Sequence, residues 1–243
     1  MSKFGLIGKD IGYSFSKSYF TDKFESEGLP HAYQNFDIDS VDDFTDIIKN
    51  IKDLKGLNVT IPYKETILSF LDKLDEKAKE IGAVNTIKIT ENGSLIGYNT
   101  DYYGFIKSIE PYLKTHHKKA LILGTGGASK AIAYALKKLG IEYNYVSRTA
   151  LNNAIYTYQT LSEEIIGEHH IIINCSPLGT YPNTNICPQI PYDAITKSHL
   201  LYDLIYNPDE TKFLTIGKLK GATICNGLEM LKSQADRAWK IWN

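Results

Sequence analysis

The residues in this sequence best suited to chemistry are a glycine turn, an arginine and a lysine. Gly124-Thr125-Gly126-Gly127-Ala128 follows an apolar run, Ala120 to Leu123, and opens a helical pattern. Glycine removes the Cβ that would block a pyrophosphate, and the helix N-terminus behind it offers N–H donors and a positive dipole end. Roughly 20 residues on, where an acidic residue would hold a ribose 2′-hydroxyl, the chain reads Ser147-Arg148-Thr149. A carboxylate there would repel a 2′-phosphate, whereas an arginine between two hydroxyls suits one. The reading is NADP rather than NAD.

Lys64 closes the run Gly56-Leu57-Asn58-Val59-Thr60-Ile61-Pro62-Tyr63-Lys64. Leu57, Val59 and Ile61 alternate with Asn58 and Thr60, so the two polar side chains are expected on one face of a short strand. Pro62 ends that strand and Lys64 is expected at the start of the next helix. The dipole there disfavours positive charge, a setting useful to an acid–base lysine. Ser14 and Ser16 precede a helix, and serine in that place either caps it or joins the helix-end N–H groups in holding a small carboxylate.

These residues need elements to hold them. Around the glycine turn the pattern is strand, turn, helix, strand. The helix carries Ala131, Ile132, Ala135, Leu136 and Leu139 on one face, Gly140 ends it, and Ile141 to Val146 forms the second strand. That is half of a dinucleotide-binding fold. Upstream, strands are expected at Phe4–Ile7 and Tyr33–Phe36, helices at about 17–27 and 41–51, and one or two short helices over 65–81. A hairpin, Thr86–Thr90 with Leu95–Tyr98, turns at Asn92-Gly93. Asn99, Thr100 and Asp101 are the residue types of a helix start, and that helix runs to about Tyr112. His116 to Lys119 reads as an exposed joint. The interval after Arg148 is too short for a crossover helix before the apparent strand 154–158. Beyond it, a helix near 161–166, a strand Ile171–Cys175, a strand Leu200–Ile205, a helix 211–220, a strand Thr223–Cys225 and a final helix complete the chain. That last helix places Leu231, Ala235, Ala238, Trp239 and Trp242 on one stripe. Ser176 falls in a loop after a strand, where α/β sheets place their ligands.

Composition narrows the class. The 243 residues are 43% hydrophobic and 23% charged, with a net charge of −1. These are globular values, and the charge offers no basic field for nucleic acid. Cys175, Cys187 and Cys225 lie far apart with no metal-ligand spacing, as free thiols of a reducing compartment do. Neither a signal peptide nor a spanning segment is evident, so the expected location is cytoplasmic.

Several separate motifs, in order along essentially the whole chain, resemble those of the shikimate dehydrogenases. They are Ser14-x-Ser16, Asn58-Val59-Thr60-Ile61-Pro62-x-Lys64, Gly82-Ala83-Val84-Asn85-Thr86, Asn99-Thr100-Asp101-x-x-Gly104, the glycine turn, and Tyr202-Asp203-Leu204-Ile205-Tyr206-Asn207-Pro208. Asn226-Gly227-Leu228-x-Met230-Leu231-x-x-Gln234-Ala235 closes the series. The resemblance implies an α/β enzyme of two domains that interconverts shikimate and 3-dehydroshikimate with NADP, in aromatic amino-acid biosynthesis. It implies a substrate domain over residues 1–100, an NADP-binding Rossmann-like domain over 101–226, and a C-terminal helix, 227–243, returning to the first. It assigns Lys64 as the acid–base residue and Asp101 as its charge partner. Ser14, Ser16, Asn58, Thr60, Lys64, Asn85, Asp101, Tyr206 and Gln234 match substrate-binding positions. Gly124, Thr125, Gly126, Gly127, Ala128, Ser147, Arg148, Thr149, Ser176, Leu204, Gly227 and Met230 match cofactor positions. A metal is not implied, and a monomer or a homodimer is.

Some positions depart from the family pattern. Tyr13 stands where histidine is common, Lys17 and Glu229 where proline is common. Asn152 stands where many members carry a second basic residue for the 2′-phosphate, which implies a weaker preference for NADP. Rival readings are a quinate/shikimate dehydrogenase using NAD and a non-catalytic nucleotide-sensing module. Arg148 without a neighbouring acid speaks against the first, and the presence of both Lys64 and Asp101 against the second. A glutamyl-tRNA reductase-like domain would share the glycine-turn half only.

Overall fold

Two sheets form because the chain carries two kinds of strand. Those of the first hundred residues mix parallel and antiparallel partners, and the later ones are short parallel runs, three of them buried almost throughout. In the computed structural model, which describes residues 1–12, 14–149 and 155–243, the chain divides into two units, 1–100 with 235–243 and 101–234.

The first unit runs β1 (Lys3–Gly8), α1 (Phe15–Ser26), β2 (Ala32–Asp37), α2 (Phe44–Asn50), β3 (Leu54–Val59), β4 (Lys73–Leu74), α3 (Glu76–Ile81), β5 (Thr86–Ile89) and β6 (Leu95–Tyr98). Its sheet has the order β2-β1-β3-β5-β6-β4. β1 pairs in parallel with β2 and β3, and β3-β5-β6 continue antiparallel through the Asn92-Gly93 hairpin. One face is covered by Phe20 and Phe24 of α1 together with Ala235, Ala238 and Trp242 from the end of the chain. Trp242 stacks on Phe4 at 4.9 Å and its indole N–H donates to the Ile87 carbonyl at 2.9 Å. Phe44, Leu57, Val59, Ile67 and Ile87 form the other core.

Three local expectations are corrected here. Ser16 lies inside α1, and Ser14 takes the cap position without a side-chain capping bond. β3 stops at Val59, so Ile61 falls beyond it, 67% exposed, on the turn that carries the cis Ile61–Pro62 bond. Lys64 precedes a five-residue 3₁₀ helix, Thr66–Phe70, and not an α-helix.

The second unit runs α4 (Asp101–Ile109), β7 (Lys119–Leu123), α5 (Gly127–Lys138), β8 (Glu142–Ser147), β9 (Tyr156–Thr157), α6 (Glu163–Glu168), β10 (Ile171–Asn174), β11 (Leu200–Asp203), α7 (Lys212–Leu219), β12 (Thr223–Cys225) and α8 (Leu228–Trp242), whose last turns belong to the first unit. Its sheet is parallel throughout, in the order β12-β11-β10-β7-β8-β9. Counted from β7, that is the doubly wound order of dinucleotide-binding folds, which reverses between β7 and β10. The apparent strand 154–158 is β9, two residues paired in parallel with β8, and Ala154 lies outside the described residues, as do Tyr13 and Asn152.

The joint before β7 is exposed at His116 and Lys118, as its composition implies, but not at His117. His117 is 4% exposed, and its ring and that of His116 both meet the Ser198 carbonyl, at 3.2 and 3.0 Å. His116, His117, His170 and His199, which precede β7, β10 and β11, form a chain of edge-to-face rings 4.4–5.4 Å apart. Among the described residues, no helix is long and apolar enough to cross a membrane.

Candidate active site

In the first unit the polar residues of three motifs meet at the carboxyl end of β3. Asn58 on β3 is buried; its Nδ2 donates to the Asn85 carbonyl and to Thr86 Oγ1, each at 3.3 Å. Asn85 in turn donates from Nδ2 to Thr100 Oγ1 at 3.0 Å, and its Oδ1 accepts the Thr100 backbone N–H at 2.7 Å. Asn99 donates to the Ala83 carbonyl at 3.0 Å. The turn bearing Lys64 is tied to the same place, because the Lys64 carbonyl accepts from Val84 N at 2.8 Å. The Thr60 N–H donates to the Ile7 carbonyl at 2.9 Å, fixing that turn against β1. Antiparallel β3–β5 pairing, with Asn58 opposite Thr86, is what brings these distant runs together. Ser16 is buried nearby against Tyr33, while Ser14 is half-buried at the mouth of α1.

In the second unit the candidate cofactor residues collect at the carboxyl ends of the parallel strands. The glycine turn leaves β7 at the switch point. Gly124 has φ +119°, a conformation that a side chain would strain. A Cβ at Gly126 would meet nothing within 4 Å, so the space in front of the α5 N-terminus is open to a phosphate. Ser129, in the last position of the glycine pattern, is buried and its hydroxyl donates back to the Gly126 carbonyl at 2.6 Å, shaping the turn. At the end of β8, Ser147 hydrogen-bonds the backbone of Thr149, and Arg148 is exposed. The Arg148 charge acts on Tyr158, whose phenol burial pushes up to about 12. Ser176 follows β10; its N–H and hydroxyl both donate to Asn174 Oδ1, at 3.0 and 2.6 Å. Gly227 lies against the Leu204 backbone, with its N–H on the Ile205 carbonyl at 3.0 Å. Met230, one turn later, is buried in the adjoining core. The glycine turn, Ser147–Thr149 and Ser176 thus share one rim, continued by Leu204, Gly227 and Met230. An open cradle with a cation beside it fits a phosphorylated dinucleotide.

Asp101 opens α4 and is 5% exposed. A Cβ at Gly104 would be 3.0 Å from that of Gln234, so α4 and α8 approach to backbone contact and hold Asp101 and Gln234 on packed neighbours. Tyr206, half-buried, follows β11 just before the cis Asn207–Pro208 bond. Two supports escaped the sequence reading. Asp203 is fully buried and accepts from Asn174 Nδ2 at 3.1 Å, Ile205 N at 3.0 Å and Thr211 Oγ1 at 2.7 Å, yet burial still pushes its carboxyl up to about 6. The other is Tyr33, which donates to Asn58 Oδ1 at 2.8 Å. An acid inside an apolar strand was the available signal for Asp203; Tyr33 gave none.

A doubly wound parallel sheet with its glycine turn at the switch point is the architecture of a dinucleotide-binding protein. A family model described as the shikimate dehydrogenase substrate binding domain matches residues 6–87. Over 256 aligned positions the chain is 40% identical to the shikimate dehydrogenase (NADP(+)) of Clostridium beijerinckii, covering 100% of this chain and 92% of that one. The crystal structure of shikimate dehydrogenase from Aquifex aeolicus superposes with a TM-score of 0.89 at 37% identity, covering 100% and 92%. That of the Thermus thermophilus shikimate 5-dehydrogenase, solved with NADP(H) and shikimate, does so with 0.89 at 30%, covering 100% and 94%. The chain belongs to the shikimate dehydrogenase family.

Proposed function

We propose that this chain catalyses the reversible, NADP-dependent reduction of 3-dehydroshikimate to shikimate, with Lys64 and Asp101 as the groups at the reacting hydroxyl. Residues 1–100, completed by the helix over 227–243, hold the substrate, and residues 101–226 hold the nucleotide. NADP, when bound, supplies the hydride acceptor. In the alcohol-to-ketone direction the hydroxyl proton passes to the Lys64 amine and returns from it in reverse, while the Asp101 carboxylate balances the ammonium so formed. The substrate is a carboxylate with several hydroxyls. Ser14, Ser16, Asn58, Thr60, Asn85, Tyr206 and Gln234 supply hydroxyl and amide partners of both donor and acceptor kind for it. Gly124, Thr125, Gly126, Gly127 and Ala128 face the pyrophosphate. Ser147, Arg148 and Thr149 take the 2′-phosphate, and Ser176, Leu204, Gly227 and Met230 line the rest of the rim. The enzyme works on a small molecule in the cytoplasm, as a monomer or homodimer and without nucleic acid, for which a net charge of −1 provides no field.

The observation that carries this reading is the hydrogen-bonded cluster of Asn58, Asn85, Thr86 and Thr100, with the Lys64 turn pinned to it through Val84. Its burial and its internal hydrogen bonds support a fixed polar site there rather than incidental surface. The test is the initial rate of nicotinamide reduction with shikimate, comparing NADP and NAD. Faster turnover with NADP is expected. Turnover with NAD alone would remove the 2′-phosphate role from Arg148, and no hydride transfer with either would overturn the reaction.

A further inference from the structure

Tyr33 and Asn58 stand on the same face of the first sheet, two strands apart. β1 lies between them, with Phe4 opposite Tyr33 and Leu6 opposite Asn58. Neighbouring strands are about 4.8 Å apart, so about 10 Å of sheet separates the two backbones, a gap that a phenol can close and a phenyl ring cannot. The phenol closes it: Tyr33 is 6% exposed and its O–H donates to Asn58 Oδ1 at 2.8 Å. Ser16, 7% exposed, lies beside the same phenol. The ring has no room to turn away, being stacked on Phe20 at 4.7 Å with 14° between planes and flanked by Trp242.

A primary amide is nearly symmetric in shape and opposite in hydrogen bonding at its two ends, so whichever orientation it takes decides what it offers a ligand. The Tyr33 O–H fixes the oxygen end of Asn58 and turns Nδ2 toward the Asn85 carbonyl and Thr86 Oγ1. We propose that Tyr33 is a positioning residue for the substrate, setting the Asn58 amide in one hydrogen-bond direction before substrate arrives. This rests on the reading that Asn58 holds the substrate. Tyr33 acts through that amide, and its effect falls on substrate affinity rather than on the proton transfer at Lys64.

The experiment compares wild type, Tyr33→Phe, Asn58→Ala and the double variant in the full chain, reading kcat, the KM for shikimate, the KM for NADP and the thermal midpoint. Phenylalanine keeps the stack on Phe20 and removes only the hydroxyl. A KM for shikimate raised about tenfold, the scale of one lost hydrogen bond with an unpaired amide left behind, is expected, with kcat and the KM for NADP within about threefold. The double variant should be no worse than Asn58→Ala alone, because the two changes act on one group. An unmoved shikimate KM in Tyr33→Phe, or additive effects in the double variant, would overturn the proposal; so would a lowered midpoint with no change in KM. Should Tyr33→Phe fail to fold, Phe20→Leu loosens the ring's seat while keeping the hydroxyl, and a raised shikimate KM is again expected, an unchanged one again overturning it. A wild-type chain inactive on shikimate would refute the function itself, an outcome distinct from an active wild type and an indifferent Tyr33→Phe.

Discussion

Replacing Asp203 by asparagine should stabilise the protein at neutral pH and lose that advantage in acid. The carboxyl is fully buried and is pushed from 3.8 up to about 6, burial outweighing the hydrogen bonds from Thr211, Ile205 and Asn174. A folded value above the unfolded one means that the native state keeps its proton to higher pH. Native stability is therefore lost as pH rises from about 4 to about 6, and the full cost stands above that range. A rise of about 2 pH units corresponds to about 3 kcal/mol at neutrality. Asparagine has the shape of the protonated acid. Its Oδ1 can still accept from Ile205 and Asn174, now at 3.0 and 3.1 Å, and its Nδ2 can donate to Thr211 Oγ1, whose proton is then free to rotate away. Urea unfolding of both proteins, followed by far-ultraviolet ellipticity at about pH 7.5 and about pH 5, gives the difference in stability at each. The expected gain is about 1–3 kcal/mol at the higher pH and markedly less at the lower. A variant destabilised at both pH values to the same extent would refute the argument, because it would show that the hydrogen bonds outweigh the burial of the charge.

Lys64→Ala should lose about 10²–10⁴-fold in kcat with the NADPH dissociation constant unchanged, measured by fluorescence titration; near-normal turnover would remove Lys64 from the mechanism. Arg148→Ala should lower the ratio of kcat/KM for NADP over NAD by about tenfold or more, mostly through the NADP term. His117, His169 and His199 are buried beside other cations, and desolvation holds each below the usual imidazole range. Their folded values are depressed, so stability is full above about pH 6.5 and falls as pH drops beneath it, by at most about 1.4 kcal/mol per histidine per pH unit and less where water reaches the rings; the urea midpoint between pH 7.5 and 5.5, flattened in His199→Gln, checks it.

The dinucleotide half was legible because its signals are local: Ala120 to Leu123, three glycines, the stripe through Leu136 and Gly140 lie within one strand–helix unit, and the structure places them so. Likewise Asn92-Gly93 specifies its hairpin by turn chemistry alone. What sequence spacing could not reach was set by packing between distant segments. His116-His117-Lys118-Lys119 is polar enough to look like a joint, yet the Ser198 carbonyl and the neighbouring histidines bury His117. Lys64 follows the proline expected to end the strand and reads as the start of a helix, but the chain there makes only a 3₁₀ turn before β4. Tyr33 read as one more strand residue, since its partner Asn58 is 25 positions away and only β1 between them brings the two together.

The chain has two tryptophans, Trp239 and Trp242, and both lie in the first unit, around Phe4 and Phe24. Selective excitation of indole therefore interrogates that unit alone, leaving the parallel-sheet half spectroscopically dark. Circular dichroism, by contrast, sums helices from both. Recorded on one sample, the two signals resolve whether the half bearing Lys64 and Tyr33 melts together with the half bearing the glycine turn. Coincident curves would mean one cooperative transition, and an ellipticity change preceding the emission change would mean that the nucleotide half gives way first. The acid lability expected of the buried histidines, all in the dark half, would then show in ellipticity before it shows in fluorescence.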